Sequence, residues 1–390
     1  MPQDGSTRFF WLFYDLPIAV CPQKHSLLPL QHNGILINMR RREFLNKLSI
    51  ASLGACMPSL GNAFFYNDES DFAKHLKPIG RALELEGYYV WCNSPIEDEE
   101  GKTHVFFSRW NAKRGMGGWI NGCEIVHAVA NSPEGSYEVL ETILQPRPGF
   151  WDATTCHNPS IRKVDGQYCL FYMGNFNGKT NTKRIGMATA PTLNGPWKRP
   201  DKPLLEAGET GAWDDHCTTN PAFIKHPNGQ YWLYYKSWNT KDYETDPGPI
   251  KGNRKYGLAV ADKLEGPYIK YNANPLIDFS SKGNNCQLED AFVWMEKKKF
   301  KMIARDMGVF NHENGILMDS KDGIAWSEPK IAYYSAEKYI QQPPAPSHLK
   351  KYGRFERPQI LFRNGKPAYL FTTSQGGKYM TASSFIFKIV

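Results

Sequence analysis

Apolar and polar positions along this chain follow one long pattern that occurs five times. Each copy opens with a polar tripeptide, continues through a glycine-centred tip and ends in an apolar, aromatic-rich run. The tripeptides are Asn93-Ser94-Pro95, His157-Asn158-Pro159, Thr219-Asn220-Pro221, Glu289-Asp290-Ala291 and Glu356-Arg357-Pro358, with third positions 64, 62, 70 and 67 residues apart. A repeat of this length made of strands and turns cannot bury its faces alone and needs neighbours closed into a ring. The pattern predicts an all-β fold, a five-bladed β-propeller over residues 86–390. Residues 57–85 form an N-terminal extension, and a short helix is expected at 72–85.

The direction of the strands places the candidate functional residues. The first strand of a blade begins at the open face, the second returns to it and the third leaves it, so residues at these junctions are expected at one mouth. The candidates for catalysis are Glu289, Asp290, His312, Glu313 and Glu356. The candidates for substrate binding are Asn93, Arg109, Trp110, His157, Asn158, Asp215, His216, Asn220, Lys236, Arg305, Asp306 and Arg357. Carboxylates for proton transfer, polar groups for hydroxyls and aromatic faces for ring carbons predict a sugar pocket.

The N-terminus is predicted to be a targeting segment. Met39 is followed by three arginines, Glu43 and Phe44-Leu45, and a modestly apolar stretch follows. This resembles a twin-arginine export signal, so Met39 is the predicted start of the protein and residues 1–56 are upstream leader plus signal. Cys56 also fits a lipoprotein cleavage site, with cleavage near Asn62-Ala63 as the alternative. Both outcomes predict an extracytoplasmic protein, periplasmic or lipid-anchored, and the extension permits a homodimer.

Composition removes several function classes. The formal net charge of +8 is mild and its basic residues form no long block, which speaks against nucleic acid as a partner. The cysteines form no Cys-x-x-Cys pair, and the chain has no phosphate-binding glycine loop and no zinc-peptidase motif. No cofactor is predicted, although a structural divalent cation is compatible with the sequence.

The repeat elements resemble those of the five-bladed glycoside hydrolases of families 43 and 117, the latter cleaving 3,6-anhydro-galactose from agar oligosaccharides. The resemblance implies a general acid at Glu289 or Glu356, which match the family 43 pattern of a Glu before a Pro-like position. Ser94-Pro95 and Asn220-Pro221 depart from the Asp-Pro pairs of that family. Family 117 pairs an acidic histidine with a Glu, which implies a role for His312 and Glu313. Asp215, His216 or Asp290 could supply the missing carboxylate, and the sequence does not choose among them.

Three functions therefore compete at this stage. The first is an exported, exo-acting glycoside hydrolase for oligosaccharides of algal or plant polysaccharide, with acid/base hydrolysis in the axial pocket. A non-catalytic glycan-binding propeller and a phosphate-dependent glycoside phosphorylase are the alternatives. Because Arg109, Lys236, Arg305 and Arg357 are expected at one rim, the sequence also predicts a substrate that carries a carboxylate or sulfate.

Overall fold

A computed structural model describes residues 68–248, 251–282, 286–341 and 353–390. The predicted export signal, Met39 and Cys56 lie outside the described residues. No helix in the described part is both long and apolar enough to cross a bilayer.

The described residues form nineteen strands and two short helices. The helices are α1 (Asp71–Lys74) and α2 (Thr240–Thr245). The strands are β1 (Leu76–Arg81), β2 (Tyr88–Glu97), β3 (Thr103–Asn111), β4 (Glu124–Ala130), β5 (Glu138–Leu144), β6 (Thr155–Val164), β7 (Gln167–Asn175), β8 (Lys183–Ala190), β9 (Thr219–Lys225), β10 (Tyr231–Ser237), β11 (Lys255–Ala261), β12 (Ile269–Lys270), β13 (Gln287–Glu296), β14 (Lys299–Met307), β15 (Gly315–Ser320), β16 (Lys330–Tyr333), β17 (Glu356–Arg363), β18 (Lys366–Gly376) and β19 (Thr381–Ile389).

These strands make the predicted five-bladed β-propeller within the described ranges. Blade 1 is β2 to β5, blade 3 is β9 to β12 and blade 4 is β13 to β16, each an antiparallel meander. Blade 2 has three strands, β6 to β8, and its outer edge is completed only by short bridges such as Thr189–Lys198. Stacked aromatic pairs such as Phe171 and Phe223, with ring centroids 4.4 Å apart, fill the space between neighbouring blades. Each blade therefore buries its faces only against its neighbours.

Blade 5 is closed by the N-terminal part of the described chain. β1 pairs antiparallel with β19 as the fourth strand beside β17, β18 and β19. The predicted helix at 72–85 is therefore wrong in extent, because α1 has only four residues and a strand follows it. The propeller begins about ten residues before the predicted boundary at residue 86.

The first strand of each blade is its inner strand, and these are β2, β6, β9, β13 and β17. Each inner strand carries a bulge whose first residue has a positive φ. These residues are Cys92, Asn158, Asn220, Asp290 and Arg357. The bulge of blade 1 lies at Cys92-Asn93, between the paired residues Trp91 and Ser94. Cys92-Asn93, and not Ser94-Pro95, therefore corresponds to the Asn-Pro steps of the other blades. The predicted alignment of blade 1 is two residues too late along the chain.

The two ends of the propeller axis differ. The bulges lie near the start of the inner strands, where their side chains leave a gap of only about 20 Å³. Near the far ends of the same strands is a mainly apolar cavity of about 530 Å³, lined by residues such as Ile161, Phe292 and Ile360. The predicted site residues belong to the first end.

Candidate active site

The residues just before the five bulges form a ring at the start of the inner strands. From blade 1 to blade 5 they are Trp91, His157, Thr219, Glu289 and Glu356. Trp91, His157 and Thr219 are at most 3% exposed, whereas Glu289 is 9% exposed and Glu356 is half-buried. The two carboxyl groups, from adjacent blades, are therefore the accessible members of this ring.

Glu289 is surrounded by cations. Its Oε1 accepts a hydrogen bond from Lys236 Nζ at 2.5 Å, and its Oε2 accepts one from Arg305 Nη1 at 2.9 Å. Arg254 Nε lies 2.8 Å from Oε1 as an ion pair whose angle is poor for a hydrogen bond. Although burial alone would raise the pKa of Glu289, these opposite charges hold it well below its usual range. Glu289 is consequently a carboxylate at neutral pH.

Glu356 shares a donor with Glu289. Arg305 Nη1 lies 3.1 Å from Glu356 Oε1 and 2.9 Å from Glu289 Oε2, which limits the distance between these two oxygens to about 6 Å. Arg354 Nε donates to the same Glu356 oxygen at 3.0 Å. Arg305 thus holds two carboxyl groups of neighbouring blades within reach of one small substrate group.

Four predicted site residues lie one layer deeper, in a ring that closes the axis. Asn158 donates to Asn220, Asn220 donates to Asp290, and Arg357 forms an ion pair with Asp290. Cys92 completes the ring by donating to Asn158 Oδ1 at 2.9 Å. All of these side chains bond each other across the blades, and their role in the described structure is to join the inner strands.

The blade 1 side of the mouth is aromatic and buried. Trp110 is 1% exposed, stacks on Tyr89 and donates its indole N–H to the Gly115 carbonyl. The His157 ring lies edge-on to Trp110 and its Nδ1 is 3.3 Å from Cys123 Sγ. Burial holds the pKa of His157 well below its usual range, so the ring is neutral.

Several predicted binding residues have structural partners instead. Asn93 donates to Thr373 Oγ1 at 2.8 Å and ties blade 1 to blade 5. Arg109 pairs with Glu124 at 2.7 Å within blade 1. Asp306 accepts four backbone N–H groups of the loop 308–311. These residues are poor candidates for substrate contact.

The pair Asp215-His216 also serves a loop. Asp215 accepts the backbone N–H groups of Thr240 and Gly211. His216 stacks on Trp238 and lies 2.9 Å from Thr180 Oγ1. Burial and the neighbouring Lys183 lower the pKa of His216 to about 4, so it is neutral at physiological pH.

His312 and Glu313 lie on the loop after β14. His312 is exposed, and its carbonyl accepts a hydrogen bond from Arg354, the partner of Glu356. Glu313 is half-buried. The loop therefore adjoins the carboxyl pair, and the catalytic roles of His312 and Glu313 stay predictions.

Sequence reasoning missed Lys183, Arg254, Trp119 and Arg354. Lys183 and Arg254 lie one residue before Arg184 and Lys255, and the sequence alone does not show which member of each pair faces the mouth. Side chains alternate along a strand, so a shift of one residue reverses the face. Arg184 indeed pairs with the exposed Glu206, whereas Lys183 points inward and is 4% exposed. Burial and the neighbouring Lys236 and Arg254 lower the pKa of Lys183 to about 7.

Among the described residues, no group of three or more His, Cys, Asp and Glu side chains is arranged to hold a metal ion.

Comparisons with known proteins match the fold. No family model matches the chain, and no curated protein does. A family 117 glycoside hydrolase of the marine bacterium Zobellia galactanivorans is similar at 18% identity and a TM-score of 0.59, over 80% of this chain and 90% of that one. The protein BT0996, in its RGII complex, gives 14% identity and a TM-score of 0.60, over 79% and 90%.

A family 43 β-xylosidase/α-arabinofuranosidase from a compost microbial metagenome gives 14% identity and a TM-score of 0.52, over 80% of this chain and 93% of that one. The chain shares the β-propeller fold of these glycoside hydrolases. At this level of identity the likeness concerns the fold alone.

Proposed function

We propose that the chain is an exported glycoside hydrolase that acts from the end of oligosaccharides derived from algal or plant polysaccharide. The observation that carries the proposal is the carboxyl pair of Glu289 and Glu356, held by Arg305 at the start of the inner strands. Two carboxyl groups flanking the bond are the usual means of glycoside hydrolysis. The glycoside hydrolases with the same fold support the reaction class, and the predicted twin-arginine signal supports export.

The surroundings of the two carboxyl groups suggest their roles. Glu289 has three cationic partners and a lowered pKa, so it is the ionised group. Glu356 has two cationic partners and is the more exposed side chain, so we assign it as proton donor. A separation limited to about 6 Å is closer to the roughly 5–5.5 Å of retaining enzymes than to the wider spacing of inverting ones.

The reaction then proceeds as a double displacement. An oxygen of Glu289 forms a bond to the anomeric carbon while the glycosidic C–O bond breaks and Glu356 gives its proton to the leaving oxygen. In the second step Glu356 takes a proton from water, the water oxygen bonds to the anomeric carbon, and Glu289 leaves as a carboxylate. The released sugar keeps its anomeric configuration.

The first prediction separates these roles. Glu356→Gln should lower kcat/KM on natural oligosaccharides at least ~10²-fold, but much less on aryl glycosides whose leaving group needs no proton. Added azide should restore turnover of the aryl glycoside and give a glycosyl azide of retained configuration. Glu289→Gln should abolish hydrolysis of both substrates, because it removes the nucleophile.

Controls sharpen this test. Glu206→Gln, which removes an exposed carboxylate paired with Arg184, should leave both rates unchanged. An equal loss on both substrates for Glu356→Gln, or an inverted product, would contradict the assignment. If His312→Ala, and not Glu356→Gln, lost activity on natural oligosaccharides but kept it on aryl glycosides, His312 would be the proton donor. Turnover that requires inorganic phosphate would favour a phosphorylase.

A further inference from the structure

Lys183 is a buried ammonium group without an anionic partner among the residues that the structure describes. It begins β8, is 4% exposed, and forms no ion pair or side-chain hydrogen bond with any residue that the structure describes. Its Nζ lies 4.4 Å from the ring centroid of Trp238 and 5.7 Å from that of Trp119. Indole faces stabilise a cation only in part, and a buried charge normally requires a counter-ion.

Further cations gather on the same indole. Lys236 Nζ lies 5.6 Å and Arg254 Cζ 5.2 Å from the Trp238 ring centroid. Both contact a single carboxylate, Glu289, and this carboxylate also serves Arg305. Of the three cations beside Trp238, Lys236 and Arg254 therefore contact Glu289, and Lys183 is the one without contact to it.

The cations are held in place by the protein. Gln287 Oε1 accepts hydrogen bonds from the backbone N–H of Arg254 at 3.0 Å and from its Nη1 at 2.8 Å. Gly252 packs against Trp238 with a φ of +74°, and a Cβ there would lie 2.8 Å from the indole. The loop bearing Arg254 is thus pressed against the indole, and the positive charges are built into the site.

We propose that Lys183 and Arg254 bind a negatively charged substituent, a carboxylate or a sulfate, of the sugar held beside Trp119 and Trp238. The inference rests on the proposed function for the role of the site, but binding of an acidic sugar can be measured without turnover. A bound anion would supply Lys183 with the partner that the described residues do not provide. Half-buried Trp119 is available to cover a sugar face.

Burial and neighbouring cations lower the pKa of Lys183 to about 7, so its charge depends on pH near neutrality. The charged and titratable groups facing it are His157, His216, Cys217, Lys236, Arg254 and Glu289. Burial lowers the pKa of both histidines and raises that of the Cys217 thiol, so these three are neutral near pH 7. Glu289 is ionised. Lys236 has a lowered pKa as well, but it keeps Glu289 as a partner.

The sign of the pH dependence follows from these states. The pKa of Lys183 is lowered to about 7, and an anion binds its protonated form. Affinity should therefore be constant below that pH and fall by up to about tenfold per unit above it.

The test measures binding to the unmodified protein by isothermal titration calorimetry, with probes that contain no glycosidic bond to hydrolyse. Galacturonic acid, galactose, galactose 6-sulfate and inorganic phosphate are the probes. An acidic sugar should bind and galactose should bind at least tenfold more weakly. The comparison of galacturonic acid with galactose 6-sulfate then shows whether the site prefers a carboxylate or a sulfate. Phosphate binding tighter than either acidic sugar would overturn the proposal and favour a phosphorylase.

Two substitutions locate the charge. Lys183→Met should weaken binding of the acidic sugar about 10- to 100-fold, the usual effect of losing a charged hydrogen-bond donor. It should also raise Tm, because it removes an uncompensated buried charge, and the rise shows that the variant folds. Lys183→Arg should keep binding and lose the pH dependence near 7, since a guanidinium stays charged.

The outcomes distinguish the two proposals. Equal affinity for acidic and neutral sugars, unchanged by Lys183→Met, would overturn the anion site. Hydrolysis of neutral oligosaccharides would in that case still support the proposed function. Binding that depends on Lys183 without hydrolysis of any glycoside would support the anion site and refute the hydrolase.

Discussion

At the scale of single residues, the ring that closes the axis is the most unusual feature. Asn and Asp adopt a positive φ more readily than other side chains, and three of the five ring positions carry them. At Arg357 the positive φ is stabilised by contacts with Asp290, because the backbone N–H and the guanidinium of Arg357 both bind this carboxylate. Local conformation and contact between blades are thus satisfied by the same residue.

Asn220 allows these two contributions to be separated. Asn220→Gly keeps a backbone that accepts a φ of +52° but loses the hydrogen bonds to Asn158 and Asp290. We expect a loss of about 1–3 kcal/mol in the free energy of unfolding, since the partners stay buried. Asn220→Ala should lose about 1 kcal/mol more, because a Cβ disfavours this backbone. Urea unfolding measures both, and an equally stable alanine variant would contradict the role of φ.

The residue scale also shows where sequence reasoning failed. The two Asn-Pro steps, one Glu-x-Pro step and the related Glu289-Asp290-Ala291 located four of the five bulges, but Cys92-Asn93 was passed over for Ser94-Pro95. Lys183 was missed because only strand register, a property of pairing with β7, decides that it faces inward instead of Arg184. Glu289 and Glu356 were found because they are charged residues at the start of apolar strands.

At the scale of elements, β1 is the strand that the sequence did not reveal. Its six residues include Pro78 and Gly80, and three of them are exposed, so no alternating pattern marks it. Proline is tolerated at an edge strand, and the pairing with β19 shifts register between these two residues. β1 is therefore defined by its partner, whereas the inner strands are defined by their own apolar runs.

Removing β1 should uncover the edge of blade 5. A chain that begins at Ala82 loses the pairing of Leu76–Arg81 with β19 and the bonds from Arg81 to Ser374, Ser383 and Gln375. We expect Tm to fall by at least about 5 °C and aggregation to increase, because β19 becomes an exposed edge. A chain that begins at Asp68 is the matched control, and its Tm is the reference value. Equal Tm values for the two chains would show that β1 is dispensable.

At the scale of the whole molecule, the ring of blades gives the two ends of the axis separate characters. The side chains of the axial ring leave only about 20 Å³ between them, so a sugar chain cannot pass through the propeller. The carboxyl pair and its cations lie at the start of the inner strands, and a mainly apolar cavity lies at the other end. A site that is closed at its base is consistent with action on chain ends.

The cysteines connect the whole fold with the predicted export route. The six in the described residues are all buried with free thiols: Cys92, Cys123, Cys156, Cys169, Cys217 and Cys286. Burial raises the pKa of Cys156 and Cys169 to about 12, and a thiol rather than a thiolate reacts slowly. A twin-arginine signal carries folded proteins, which suits a propeller that requires no disulfide among these residues to fold.

The last prediction follows from this burial. In the chain that begins at Asp68, a thiol reagent such as Ellman's reagent should label none of the six cysteines within minutes under native conditions, and all six in guanidinium chloride. Tm should be the same with and without dithiothreitol, because no bond among the described residues is available to reduce. Rapid labelling of the native protein would show that a blade opens readily. A shortfall of thiols in the denatured, unreduced protein would reveal a disulfide and contradict the free thiols of the fold.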